Sequence, residues 1–110
     1  MTPDNDLPST PLSFVVCAAI RHQNGTIICG ARHYDPIMRA NIRELFHCIP
    51  EPHYIDAARD DGWYSCEQGF IDNKGQWLTR EQAWAVAERA GQIRYPNVSV
   101  PGVLYSENLY

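Results

Sequence analysis

The apolar positions of this chain fall into two kinds of pattern, and their order sets the expected fold. Leu12 to His22 (LSFVVCAAIRH) is a near-continuous apolar run that ends in charge, and Thr26 to Arg32 (TIICGAR) is a second one. Asn24-Gly25 lies between them, a dipeptide suited to the tight turn of a hairpin. Continuous apolarity, rather than alternation, predicts strands covered on both faces, with another subunit supplying one cover. A further extended run spans Trp63 to Ile71. Trp77-Leu78 is its short return, across a turn at Asn73-Lys74-Gly75.

Helical spacing takes over elsewhere. Asp35 reads as an N-cap with Pro36 at the first helical position. Ile37, Met38, Asn41, Ile42, Leu45 and Phe46 then predict a helix over 35–47, with Arg39 and Arg43 on another face. Pro50 to Gly62 predicts a surface loop with at most one short turn over Ile55 to Ala58, because prolines and acids crowd it. The strongest local signal is Gly69 to Ile93. There Thr79 and Gln82 form a capping box, and Ala83, Val86, Ala87 and Ala90 repeat at helical spacing, widened by Trp84. Gly91 ends the pattern as a C′ glycine. So small a buried face predicts close approach to a sheet or a partner helix.

Gln92 to Pro101 is broken by Pro96 and Pro101 and predicts irregular chain. Leu104, Tyr105, Leu109 and Tyr110 predict that the last stretch docks on something. The expected architecture is α+β: a small antiparallel β-sheet of two hairpins packed with two helices, in an oligomer. Residues 12–110 form a single ligand-binding domain behind a flexible arm at 1–11.

Composition narrows the function. A chain of 110 residues with 45% hydrophobic content is one globular domain. A net charge of −4 argues against a broad grip on polymeric nucleic acid. No apolar run has the length of a membrane span and none follows a basic start, so the expectation is a soluble, cytoplasmic protein. The basic residues are Lys74 and the arginines 21, 32, 39, 43, 59, 80, 89 and 94. Arginine forks suit phosphate and stack on flat rings.

Candidate chemistry is sparse. Cys17, Cys29, Cys48 and Cys66 make no C-x-x-C pair, so free thiols and no metal are expected. His33 with Cys29 or Cys66 has no spacing that asks for a nucleophile pair, and no glycine-rich phosphate loop is present. No catalytic residues and no cofactor are expected. Trp63, Tyr64, Phe70, Trp77, Tyr105 and Tyr110 offer flat faces to a base. Arg80 places a positive charge in the first helical turn, against the helix dipole, in a position suited to an anion.

The succession AAIRH, GARHYD, QGFIDNKGQWLTREQAWAVAERAGQI and LYSENLY resembles small phage proteins of the Thoeris anti-defence type one group. The resemblance spans Val15 to Tyr110 and is most specific in Gly69–Ile93 and the terminal motif. It implies a sponge in the host cytoplasm. Such proteins bind a cyclic ADP-ribose isomer made by TIR-domain enzymes and sequester it uncleaved, so the defence effector stays inactive. It also implies dimers and hexamers with ligand pockets between subunits, and in some members a separate site for cyclic oligonucleotides. Carried over residue by residue, it implies Arg32 and His33 at the phosphates, Phe70 on adenine, and Thr79 and Arg80 at ribose or phosphate. Ser106, Glu107 and Asn108 would close the pocket or the interface. The helix at 35–47 and the loop to Gly62 carry none of the family's signature, and Trp77 is larger than its pattern. Rival readings are a small nucleotide-processing enzyme and a module that inhibits a host protein through exposed aromatics.

Overall fold

Two local turns fold the chain into hairpins before any tertiary contact is needed. The computed structural model describes residues 13–50 and 53–110, and the arm expected at 1–11 lies outside the described residues. Strand β1 (Val15–Arg21) returns through Asn24-Gly25 into β2 (Ile27–Gly30). Asn24 Oδ1 accepts from the Thr26 amide at 2.9 Å, and Gly25 takes φ +92° at the tip. Strand β3 (Glu67–Asp72) returns into β4 (Trp77–Leu78). Here Asp72 is the organiser, its Oδ1 accepting from Lys74 N at 2.9 Å and Gln76 N at 2.8 Å. Antiparallel pairing of β1 with β3 joins the hairpins into a four-stranded sheet of order β2-β1-β3-β4.

Helices α1 (Pro36–Leu45), α2 (His53–Asp60) and α3 (Arg80–Arg89) complete an α+β fold. Asp35 caps α1 by accepting from Met38 N at 2.8 Å, and its other oxygen accepts from Arg32 N at 3.1 Å. Burial alone would raise the Asp35 carboxyl, but these amide donors hold it below the ordinary carboxylate range. Helix α2 corrects the loop expected over Pro50–Gly62. Tyr54 and Ala58, one turn apart, are both buried, and that anchored face outweighs the acids on the exposed side. The extended run expected from Trp63 is also later: Trp63–Ser65 is a 3-10 turn and β3 begins at Glu67.

Helix α3 forms as its sequence dictates. Thr79 and Gln82 make the reciprocal capping box. At the other end Gly91 (φ +70°) donates to Glu88 O and Gln92 N to Ala87 O, a Schellman closure. That closure aims the Gln92 side chain at the start of β1. Its Oε1 accepts from Val15 N at 2.8 Å and its Nε2 donates to Val15 O at 2.9 Å. Val15 lies beside a register shift in the β1–β3 pairing, and Gln92 satisfies the backbone there.

All three helices pack on one face of the sheet. Ala18, Phe70 and Leu78 meet Ala83 and Ala87 of α3, joined by Leu104 and Leu109 from the terminal stretch. Ile20 and Ile28 of the same face meet Met38, Ile42, Ala58 and Trp63. Among the described residues no helix covers the opposite face, which is the face where the expected second cover would come from another subunit. Val16 and Ile27 are 53% and 41% exposed. Ala18 and Ala19 point to opposite faces and are both fully buried, so the middle of the β1 run is covered on either side. On the outer side Trp77 lies across Gly69, where an added Cβ would sit 2.5 Å from the indole and 2.4 Å from Leu78 O. The bulk of Trp77 is thus matched by the missing side chain of Gly69.

Candidate functional site

The docked C-terminal stretch gathers the polar residues of the helix-bearing face. Leu104 and Leu109 are buried, and between them Ser106–Asn108 makes a 3-10 turn. The strap is tied to α3 by Leu104 N donating to Arg80 O at 3.0 Å.

His33 sits in the β2–α1 connection beneath this strap. Its Nε2–H donates to Gly69 O at 2.7 Å, which leaves Nδ1 to accept from the Ser106 hydroxyl at 3.1 Å. Its ring meets Phe70 edge-on at 5.0 Å. Burial lowers its pKa; the Gly69 carbonyl opposes that and the Arg80 charge adds to it. The imidazole is therefore neutral near pH 7 and works as a spacer between sheet and strap.

Arg80 is the least compensated charge of the site. Nη1 donates to Leu104 O at 2.7 Å and Nη2 to Gln68 Oε1 at 2.5 Å, both neutral acceptors. Its guanidinium lies 4.3 Å from the Tyr105 ring centroid and 6.0 Å from that of Phe70. It forms no ion pair with a described carboxylate. Burial lowers its pKa, yet arginine keeps its proton at any physiological pH. Its nearest partners are dipoles and rings, with the charges of Glu107 and Glu81 beyond ion-pair distance, so this half-buried cation retains capacity for an anion.

Arg32 reaches the same strap. Nη2 donates to the Tyr110 main-chain oxygen, and Nη1 stands 3.9 Å from Glu107 Oε2. The charge of Glu107 is also felt at His33 and at Arg80. Arg32, His33, Arg80, Ser106 and Glu107 therefore converge, although they come from the β2–α1 connection, the start of α3 and the chain's last turn.

The other expected residues are placed differently. Phe70 is fully buried, so its ring faces are taken by the core. Asn108 is fully buried as well. Its Oδ1 accepts from Tyr105 N at 2.7 Å and Ser99 Oγ at 3.0 Å, and its Nδ2 donates to Tyr95 O at 2.9 Å. Every hydrogen-bonding position it uses holds the strap. Thr79 spends its hydroxyl on the Gln82 amide as helix cap. Two participants were not among the residues that the resemblance carried over. Gln68 opens the quoted QGF stretch without a role of its own, and only the need of Arg80 for an acceptor points to it. Tyr105 was one flat ring among several, and its position beside the terminal motif was the available signal.

Two cavities bear on ligand binding. One of about 890 Å³ is lined by Arg21, His22, Asp60, Asp61, Cys66 and Glu67. Its carboxylates outnumber its cations, so its size does not suit it to an anion. The other, of about 490 Å³, is lined by Val98, Ser99, Val100, Tyr105 and Glu107. It adjoins the arginine cluster, offers an apolar wall, and lies within the roughly 300–1,000 Å³ usual for small-molecule sites. Among the described residues no group of His, Cys, Asp and Glu is arranged to hold a metal ion. No described helix is long and apolar enough to cross a membrane.

Residues 14–110 match the family described as phage T4 y16D protein, and the chain belongs to it. Neither the curated proteins nor the solved structures give a match.

Proposed function

We propose that this phage T4 y16D family protein is a sponge for a cyclic ADP-ribose isomer made by TIR-domain enzymes. It binds the signal in the host cytoplasm, holds it without cleavage and so keeps the Thoeris effector inactive. The observation that carries this reading is the convergence of Arg32 and Arg80 beside the Tyr105 cavity, with Arg80 lacking a carboxylate partner. A cyclic ADP-ribose isomer has two linked phosphates and a purine. The arginines suit the first, and the Tyr105, Val98 and Val100 wall suits the second. Tyr105 replaces Phe70 as the stacking ring in this reading, because Phe70 has no free face.

A sponge must bind tightly. A Kd near 1 nM corresponds to about −12 kcal/mol, more than one cavity wall and an arginine pair provide. A second copy of the chain closing the open side of the cavity fits that need and the proposed homo-oligomer, a dimer or hexamer. Calorimetry and thermal shift with a panel of cyclic ADP-ribose isomers and cyclic oligonucleotides test the reading. The expected result is nanomolar binding of one isomer, lost in Arg80→Ala, with the ligand recovered intact after heat denaturation. Recovery of a cleaved product refutes sequestration and favours a nucleotide-processing enzyme. The absence of any shift across the panel refutes the ligand class. The exposed Tyr95, Val98 and Val100 would then favour a surface that engages a host protein.

A further inference from the structure

The cations of the proposed site are already occupied, and apart from the Gln68 amide and the Phe70 ring at Arg80, the groups that occupy them belong to one short stretch of chain. Arg80 gives Nη1 to Leu104 O and a ring contact to Tyr105. Arg32 gives Nη2 to the Tyr110 main-chain oxygen and Nη1 to Glu107. His33 accepts from Ser106. Residues 104–110 thus present to the two guanidinium groups what a phosphate would present, oxygen acceptors and the negative charge of Glu107.

We propose that this strap is an internal stand-in for the anion, with Glu107 as its charged element, so that an entering phosphate must take the guanidinium groups over from it. The proposal rests on the reading of the arginine cluster as an anion site, and it assigns Glu107 the opposite of a ligand contact. Glu107 is suited to yield. Its side chain is 62% exposed, and its oxygen stands 3.9 Å from Arg32, an ion pair without close hydrogen-bond geometry. A phosphate in bidentate contact with the same guanidinium is the stronger partner. Glu107 also repels an anion approaching Arg80 and lines the cavity through which such an anion would come. The strap itself stays anchored during exchange. Leu104, Leu109 and Asn108 are buried, and only the exposed face carrying Tyr105 and Glu107 needs to shift. The carboxylate would thus exclude weakly held anions such as chloride or inorganic phosphate and admit a linked pair of phosphates that engages both arginines together.

Inorganic pyrophosphate is the probe, titrated calorimetrically into the full chain at fixed ionic strength, with Glu107→Gln, Arg32→Ala and the double variant alongside. Glu107→Gln keeps size and polarity and removes only the charge. The expected result is pyrophosphate bound about threefold to fivefold more tightly by Glu107→Gln than by the unaltered chain. That gain should shrink or vanish in the Arg32→Ala background. Equal or weaker binding by Glu107→Gln overturns the proposal, as does a gain that persists undiminished without Arg32. Binding of pyrophosphate by neither protein overturns it too. If the gain appears while no cyclic nucleotide binds, the stand-in holds and only the proposed ligand falls.

Discussion

Asn108→Ala is the sharpest test of the strap, because this side chain was expected at the ligand and instead lies entirely in the fold. Alanine removes the acceptor for Tyr105 N and Ser99 Oγ and the donor to Tyr95 O. Each such bond has a net value of roughly 0.5–1.5 kcal/mol, and buried groups left without partners push the loss upward. The expected loss is therefore about 3 kcal/mol, a large share of the ~5–15 kcal/mol available to a domain of this size. It should lower the melting temperature by roughly 12–24 °C. The loss should be global, because Leu104 and Leu109 share a cluster with Phe70, Ala83 and Ala87. Circular dichroism against temperature and urea measures it. Asn108→Asp is the companion variant. It keeps the acceptor but places a carboxylate against Tyr95 O, and burial raises that carboxyl's pKa above its unfolded value. The Asn108→Asp protein should thus gain stability as pH falls through that raised value, when the protonated acid can donate. A loss under about 0.5 kcal/mol for Asn108→Ala would refute the clasp and return the residue to the list of ligand contacts.

Other outcomes follow from the same contacts. Gly69→Ala should destabilise the protein by about 2 kcal/mol in urea titrations, because the new Cβ meets the Leu78 carbonyl, which cannot swing away; a neutral effect would refute the close packing of β4. His33 has a folded pKa below its unfolded value, so the unfolded chain binds the extra proton first. Stability is full above the ordinary histidine range, starts to fall as pH drops through about 6.5 and keeps falling to the folded value; the drop should shrink in His33→Gln, read by denaturation midpoints at stepped pH. Burial first, and the neighbouring Cys29 second, push the Cys17 thiol up to about 12. Iodoacetamide at pH 8 should therefore label exposed Cys48 well before Cys17, and equal labelling by mass spectrometry would refute that burial.

The parts of this fold that were legible in the sequence are those decided within a few residues. The Asn24-Gly25 turn, the Asp35-Pro36 start and the Thr79–Gln82 box act through neighbours in the chain, so their residue types suffice. Helix α2 was missed for the complementary reason. Pro50, Pro52 and the acids speak against a helix locally, and the burial of Tyr54 and Ala58 that overrules them is a tertiary effect. The site divides the same way. The resemblance implied Arg32, His33, Arg80 and Glu107 as ligand contacts, and the structure places these four near one another. The resemblance could not say that Phe70 would be sealed in the core or that Asn108 would be spent on Tyr95, Ser99 and Tyr105. Gln68 and Gln92 were invisible because each matters only through a partner distant in the chain.

Strand β1 has a consequence for how the molecule is made. It is an inner strand, yet it leaves the ribosome well ahead of the partners that finish it. Its partner β3 begins at Glu67, and the glutamine that seals its first residue follows 77 positions behind. Until β3 emerges the first hairpin therefore trails an open ladder of amides and carbonyls, slow to close because the closure is long-range. A nascent neighbour can add to such an edge as readily as the chain's own β3. Yield from crowded polysomes should accordingly depend less on how firmly the finished protein holds together than on how quickly its second half is translated.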